Sequence, residues 1–381
     1  RAGYPDQFLA VPRVKLATYH ESSGTSTGRS TGSYLTEDDW SELVDRVSRH
    51  AVSLTAQDTV LVKIPYAMVT AAHQMHAVAR AAGALVIPAD SRSSAMPHRR
   101  ILRLLRDLQV TVACCMPLEP LLWAACAQLW GEPQPHLLAP ALRAIVCFSE
   151  PLAAAKRARI QSLWKGARVH ESYGVSECGG NLGGECPAGH LHLWADRYLP
   201  EILDPVTGAL TTEGTGQLVV TTLYREAMPL VRYNIGDLVT LRYQECTCGW
   251  HLPLLRVFGR AESAGSQTRT LRVTDVEDLV YSLPEQLGVL FWRGVLGGSG
   301  LRIEVEAEPS CAAQAVDELR TRALTQLGMP VEVSVVAPGT LVPLDVLTQD
   351  EQFAKPRYLY TDTEDLASGI LYPPALGRPG R

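Results

Sequence analysis

Short apolar runs alternate with longer helical patterns over the first half of the chain. Asp58-Thr-Val-Leu-Val-Lys-Ile64 and Gly83-Ala-Leu-Val-Ile-Pro88 read as strands, and the Ala-rich span 70–82 between them reads as a helix. The spans 110–115 and 144–148 are further short strands separated by helix. This βαβα order predicts an α/β fold, a mostly parallel sheet covered by helices. From about Glu201 the pattern changes, and 216–222 and 237–243 read as antiparallel strands joined by turns. After Gly259-Arg260 comes a third unit. Its pattern predicts a helix over 276–283, an alternating strand over 301–307, an amphipathic helix over 311–327 and a strand over 331–336, which together make a small α+β module. The tail from Asp362 is rich in Pro and Gly and reads as a loop or extension. The chain carries no internal repeat.

Composition narrows the class. A chain of 381 residues with 46% apolar and 20% charged residues is globular and long enough for two or three domains. A net charge of −5 and a pI near 6.1 give no basic footprint for nucleic acid. No run of apolar residues is long enough to span a bilayer. The chain begins Arg-Ala-Gly and shows no charged-then-apolar leader, so the cytoplasm is the default compartment. Nine cysteines, an odd number scattered over a long chain, argue against a disulfide framework. Cys114, Cys115, Cys126, Cys147 and Cys311 sit among apolar or helical neighbours and read as buried small hydrophobes.

Three segments carry chemistry. Tyr19-His-Glu-Ser-Ser-Gly-Thr-Ser-Thr-Gly-Arg-Ser-Thr31 gathers hydroxyls and glycines just before a helix start at Thr36. Such a loop can turn backbone N–H groups and hydroxyls onto a triphosphate, or be an ordinary flexible Ser/Gly loop; it lacks the Gly-Lys-Ser/Thr ending of a P-loop. In Met228-Pro-Leu-Val-Arg-Tyr-Asn-Ile-Gly-Asp237 a carboxylate after a tight Gly turn can accept from both hydroxyls of a ribose, although Gly-Asp also marks plain turns. Cys246-Thr-Cys248 with Cys186 and His192 could close a tetrahedral zinc site of structural type, or be scattered free thiols; His190 and His251 are rival imidazoles.

In order along the chain, the loop at 22–28, Ser149-Glu-Pro151, Glu171-Ser-Tyr-Gly-Val-Ser-Glu177, Met228 to Asp237 and Gly259-Arg260 resemble the motif series of phenylacetate-CoA ligase-type members of the adenylate-forming (ANL) superfamily. The similarity runs from about Tyr4 to about Lys355, so the chain would start inside the family's pattern. The resemblance implies an ATP- and acid-binding domain over 1–260, β-rich from about 190, and a small mobile C-terminal lid domain over 261–381. It implies that Ser22, Ser23, Gly24, Thr25, Ser26, Thr27 and Gly28 hold ATP phosphates. It places Ser149, Glu150, Pro151, Glu171, Ser172 and Gly174 around adenine, with Tyr173 stacked on the base. Ser176 would meet phosphate, Glu177 would bind Mg²⁺, Asp237 would hold the ribose, and Arg260 would contact ribose or phosphate near the hinge. Tyr66, Thr70, Ala71, Phe148, Tyr173 and Gly174 would line the acid pocket, and Lys355 would serve adenylation from the mobile domain. Members of this branch carry a similar Cys186, His192, Cys246 and Cys248 set and can bind zinc there. The implied activity is adenylation of a small, aromatic carboxylic acid by ATP, with acyl transfer to CoA or to a phosphopantetheine carrier protein. A homodimer is one assembly open to it.

Four departures bear on the second half-reaction. The phosphate loop has an extra residue between its glycines. The hinge reads Arg260-Ala-Glu-Ser263 instead of Arg-x-Asp-Asp. The glycine-free Gln267-Thr-Arg-Thr-Leu-Arg272 replaces the stretch whose glycine lines the pantetheine tunnel. Lys355 is followed by Pro. Two other readings therefore stand beside the first: transfer to an amine or other non-CoA acceptor, and a degenerate nucleotide-binding protein. At the acid pocket, Ala71-Ala72 and Phe148 stand where the family has glycines, which would shorten or redirect the cavity.

Overall fold

The computed structural model describes residues 6–22, 30–91, 93–261, 271–297 and 300–349. A hairpin comes first, β1 (Leu16–Glu21) antiparallel to β2 (Gly32–Thr36), and it brackets the Ser/Thr/Gly loop. Helix α1 (Glu37–Ser48) starts where the sequence places it. The Thr36 hydroxyl accepts from Asp39 N at 3.1 Å and the Asp39 carboxylate accepts from Thr36 N at 2.9 Å, a reciprocal cap that contributes about 1 kcal/mol.

The α/β part then runs β3 (Thr59–Lys63), α2 (Thr70–Ala81), β4 (Leu85–Pro88), α3 (His98–Asp107), β5 (Val112–Cys115), α4 (Glu119–Leu129), β6 (Ala144–Cys147), α5 (Ala154–Leu163) and β7 (Arg168–Val175). These strands pair in parallel in the order β4-β3-β5-β6-β7. Strands β5 and β6 are buried at every position, the reason they read as unbroken apolar runs. Helix α3 shows the opposite design, with Ile101, Leu102 and Leu105 buried among exposed or half-exposed arginines.

The sheet continues antiparallel through β8 (Gly180–Glu185), β9 (Leu191–Leu193), β10 (Tyr198–Leu203), β11 (Leu210–Thr211), β12 (Gly214–Thr222), β13 (Tyr233–Arg242) and β14 (Leu254–Arg260), reaching twelve strands. A second layer follows, α6 (Val273–Tyr281), β15 (Trp292–Gly297), β16 (Gly300–Glu306), α7 (Ala312–Gln326), β17 (Val331–Val336) and α8 (Leu344–Thr348), with its own sheet ordered β15-β16-β17. It has a core of its own, yet Tyr281, Leu290, Phe291 and Leu347 pack into the core beneath the parallel sheet.

Most sequence-based elements are present with ends moved by a few residues. Tyr173-Gly174 lies in β7, where Gly174 lets β8 approach: a Cβ there would stand 2.2 Å from Gly180 O. One cysteine differs from its sequence-based reading. Cys311 is half-buried at the start of α7, unlike the four buried cysteines read with it.

Candidate active site

In an open α/β sheet, ligands gather beyond the carboxyl ends of the parallel strands. Here β6 ends into Phe148, Ser149, Glu150 and Pro151, and β7 carries Glu171, Ser172, Tyr173 and Gly174 into a short turn holding Ser176 and Glu177. Ser149 has φ +72°, a left-handed conformation that costs a non-glycine residue energy and is typical of functional loops.

The motifs, far apart in sequence, meet through three side chains. The Tyr173 hydroxyl donates to Asp237 Oδ2 at 2.7 Å. On the other carboxylate oxygen, Arg260 Nε lies 3.3 Å from Asp237 Oδ1, the two residues facing each other in the β13–β14 ladder. Arg260 is held in turn by Ile235 O, 2.5 Å from its Nη1. Gly236, at φ +82°, sits in the irregular stretch of β13 just before Asp237, a left-handed position that suits glycine. Burial first, then the Asp237 carboxylate, pushes the Tyr173 hydroxyl well above its ordinary pKa, so it stays a donor. A cavity of about 240 Å³ borders this group, lined by Glu150, Pro151, Arg260, Arg272 and Glu277 among others.

Two polar residues that the motifs do not reveal organise the same region. Arg225, half-buried, donates to Glu177 O, to Ser33 Oγ at 2.6 Å and to Tyr34 O at 3.2 Å, tying the Glu177 turn to the hairpin. Asn181 donates to Ser172 Oγ at 2.8 Å, fixing β7 against β8. Each is a lone polar residue without a repeating pattern, so only its occurrence in an apolar or Gly-rich stretch marks it.

On the acid side, Thr70 opens α2, and it and Gln74 are buried against Gly180, three residues past Glu177: a Cβ on Gly180 would stand 2.9 Å from Gln74 Oε1 and 3.2 Å from Thr70 Cγ2. Thr70 Oγ1 and Gln74 Nε2 have no hydrogen-bond partner among the described residues. The Tyr66 hydroxyl lies 3.2 Å from His76 Nδ1. Tyr66, Ala71 and Phe148 share one apolar cluster beneath α2. Ser22 pairs with Thr31 across the base of the Ser/Thr/Gly segment, its N–H on Thr31 O and its Oγ accepting from Thr31 N, both at 2.9 Å. Ser23, Gly24, Thr25, Ser26, Thr27 and Gly28, with Glu262, Gln267 and Lys355, lie outside the described residues.

The Cys/His set converges. One ligand atom from each of Cys186, His192, Cys246 and Cys248 lies within 4.8 Å of the others. Cys186 Sγ and Cys246 Sγ are 3.9 Å apart, and Cys248 Sγ lies 3.6 Å from His192 Nε2. A zinc tetrahedron with arms of about 2.3 Å to sulfur and about 2.0 Å to nitrogen has edges close to these lengths. The His192 Nδ1 is 2.9 Å from Leu252 O, which fixes the ring with Nε2 toward the thiols. Hydrogen bonds, first from the Cys248 backbone and then from His190, bring the Cys246 thiol down to about 6. His190 Nδ1 lies 3.3 Å from Cys246 Sγ, and His190 is not one of the four convergent residues. The donor set thus fits a closed structural metal site joining the β8–β9 turn to the β13–β14 loop.

Comparison with known proteins agrees with this geometry. The family model described as AMP-binding enzyme matches residues 13–222. The chain is 33% identical over 322 residues to a phenylacetate-coenzyme A ligase of Thermus thermophilus, covering 81% of this chain and 70% of that one. It is 29% identical over 362 residues to the enzyme of the same name from Pseudomonas putida, covering 90% and 79%. The crystal structure of a 2-hydroxyisobutyryl-CoA ligase in the postadenylation state superposes with a TM-score of 0.78 at 21% identity, over 90% of this chain and 75% of that one. The fold, the ordered motifs and these relatives agree: the chain belongs to the AMP-binding enzyme family as a phenylacetate-CoA ligase-like, AMP-forming acid ligase of the adenylate-forming superfamily.

Proposed function

We propose that the protein adenylates a small, aromatic carboxylic acid with ATP and passes the acyl group to the thiol of CoA. The observation that carries this reading is the Tyr173–Asp237–Arg260 arrangement, a carboxylate fixed at both oxygens and placed beside the adenine-side loop. In the first step a carboxylate oxygen of the acid attacks the α-phosphorus of ATP, the bond to the β-phosphate oxygen breaks, and pyrophosphate leaves. In the second, a thiolate attacks the acyl carbon of the mixed anhydride and AMP leaves. The relatives' name, phenylacetate-coenzyme A ligase, supports both the acid class and the acceptor.

The roles divide by position. Asp237 accepts from the ribose hydroxyls, and Arg260 keeps that carboxylate aimed. Tyr173 packs on adenine. The loop from Ser22 to Gly28 wraps the phosphates, and Arg225 holds the Glu177 turn against the strand that leaves this loop. A Mg²⁺ held by Glu177 would neutralise charge on the phosphates. The module beyond Arg260 acts as a lid that delivers Lys355 to the developing charge. Cys186, His192, Cys246 and Cys248 hold a structural zinc.

Acid-dependent pyrophosphate release across a panel of carboxylic acids tests the first step. Glu177→Gln and Asp237→Ala should each abolish AMP formation while leaving the protein folded; undiminished turnover in both would overturn the reading. The glycine-free sequence 267–272 favours a second acceptor class, amines, and assays of product with CoA, a carrier protein and simple amines separate the two.

A further inference from the structure

Lysine is almost never fully buried without a partner, and Lys156, in the first turn of α5, has a side chain only 5% exposed. Two carboxylates compete for its ammonium. Glu277 of α6 takes it with Oε1 at 2.6 Å, a charge-assisted hydrogen bond. Glu150 Oε2, in the loop that leads from β6 to α5, stands at 3.8 Å, close enough for an ion pair but beyond a hydrogen bond. The ring of Tyr281, also on α6, lies 5.9 Å from the same Nζ and adds a cation–π contact.

The two acids are not equivalent. The Glu277 side chain is 7% exposed and its second oxygen, Oε2, has no hydrogen-bond partner among the described residues, so Lys156 is its main compensation. The Glu150 side chain is 46% exposed and can share its charge with water. Both border the cavity of about 240 Å³ beside Arg260. The loop also abuts the end of β14, since a Cβ on Gly259 would meet Pro151 Cγ at 3.5 Å. Residues 149–151 therefore lie between the Tyr173–Asp237–Arg260 group and the C-terminal module.

When α6 withdraws, Glu277 and Tyr281 leave with it, while Lys156 stays in α5. A buried charge that loses its partner is costly, and Glu150 is the carboxylate on its own side of the interface. It must then close from 3.8 Å to hydrogen-bond distance, and residues 149–151 move with it.

We propose that Lys156 is a positioning residue that couples docking of the C-terminal module to the loop Ser149-Glu150-Pro151, passing from Glu277 to Glu150 as α6 leaves. The inference rests on the adenylation reading, in which this loop borders adenine. With α6 docked, Glu150 keeps its place at the nucleotide. Nucleotide and docked module thus favour each other, and linkage makes the effect reciprocal.

The test measures AMP binding to the full chain by calorimetry for wild type, Glu277→Leu, and Glu277→Leu with Lys156→Met. Hydrogen exchange of residues 273–281 is followed by mass spectrometry with and without AMP. In Glu277→Leu the ammonium draws Glu150 away, so the Kd for AMP should rise about fivefold or more, the low end of allosteric couplings. Adding Lys156→Met should bring most of that affinity back. A lysine that only supports the fold gives a further loss in the double variant, and that result overturns the proposal, as does an unchanged Kd in Glu277→Leu. A second measurement holds even if Glu277→Leu fails to fold. In wild type AMP should slow exchange over 273–281, and in the double variant it should not. AMP bound by wild type without slower exchange there overturns the coupling and leaves adenylation standing, whereas no binding of AMP to wild type removes the adenylation reading and the proposal with it.

Discussion

The Lys156 ammonium lies 2.6 Å from Glu277 Oε1, and both side chains are buried. Lys156 belongs to α5 and Glu277 to α6, so the pair joins the parallel-sheet domain to the C-terminal module. Glu150, in the loop after β6, stands 3.8 Å from the same ammonium, which places that loop and the module on one cation. Around the pair, Arg159 donates to Leu283 O at 2.5 Å and to Tyr281 O and Val289 O at 3.3 Å, and Asp278 accepts from Ala155 N at 2.8 Å. A module that turns between two half-reactions must break these contacts and expose Tyr281 and Leu290, which pack in the neighbouring core.

Removing one partner of a buried ion pair leaves the other charge uncompensated, at a cost of about 3–5 kcal/mol. Glu277→Ala should therefore destabilise the docked arrangement by that order, read as a lower denaturant midpoint and faster proteolysis after Arg260. The paired replacement Lys156→Met with Glu277→Leu should restore most of the loss, because it leaves no stranded charge. Equal destabilisation in the single and double variants would show that the pair does not hold the module.

The fold was legible where burial imposes a simple pattern. Strands β5 and β6 are buried on both faces and α3 on one, so composition alone marks them. Of the motif residues singled out in the sequence, Tyr173, Asp237 and Arg260 come together in space. The hairpin β1–β2 is not legible, because its two strands mix polar and apolar residues without a sustained alternation and depend on each other for pairing. Arg225 and the Lys156–Glu277 pair escape for a related reason. Their partners lie many residues away, as with the 121 positions separating Lys156 from Glu277, and no periodicity records a contact of that range.

Glu171 gives a pH prediction. Burial, only partly offset by Arg157, pushes its carboxyl from 4.5 up to about 7. Its folded-state pKa thus lies above the unfolded one, so between these values the native state holds a proton that the unfolded chain has lost. Stability must fall as pH rises through that window, by at most about 3 kcal/mol from this group. Glu171→Gln should flatten the dependence and exceed wild type at about pH 8. Urea denaturation at about pH 5 and about pH 8 measures the difference; identical slopes in the two proteins would refute the shift.

The four-ligand cluster predicts a stability effect ahead of a catalytic one. A structural zinc binds the folded ligand arrangement and not the unfolded chain, so its binding energy adds to folding stability. Chelation, or Cys248→Ser, should lower the melting temperature and loosen the β13–β14 loop, while adenylation measured well below that temperature persists. His190→Ala should retain the metal, because Cys186, His192, Cys246 and Cys248 converge without it. Gently purified protein without zinc by elemental analysis would dismiss the site.

Tyr173 tests how the ribose carboxylate is aimed. Its hydroxyl holds Asp237 Oδ2 at 2.7 Å, while Arg260 holds the other oxygen. Tyr173→Phe keeps the aromatic face for adenine and removes only the donor, a hydrogen bond to a charged group that is worth about 1.5–3 kcal/mol. If Asp237 binds the ribose of both ATP and the acyl-adenylate, its loss of alignment is a uniform binding loss. The KM for ATP should then rise by about one to two orders of magnitude with kcat little changed. Asp237→Ala, which removes the acceptor itself, should be more severe, and adding Tyr173→Phe to it should cost little more, because the hydroxyl then has nothing to aim. Additive losses in the double variant would mean that Tyr173 acts on the nucleotide independently of Asp237.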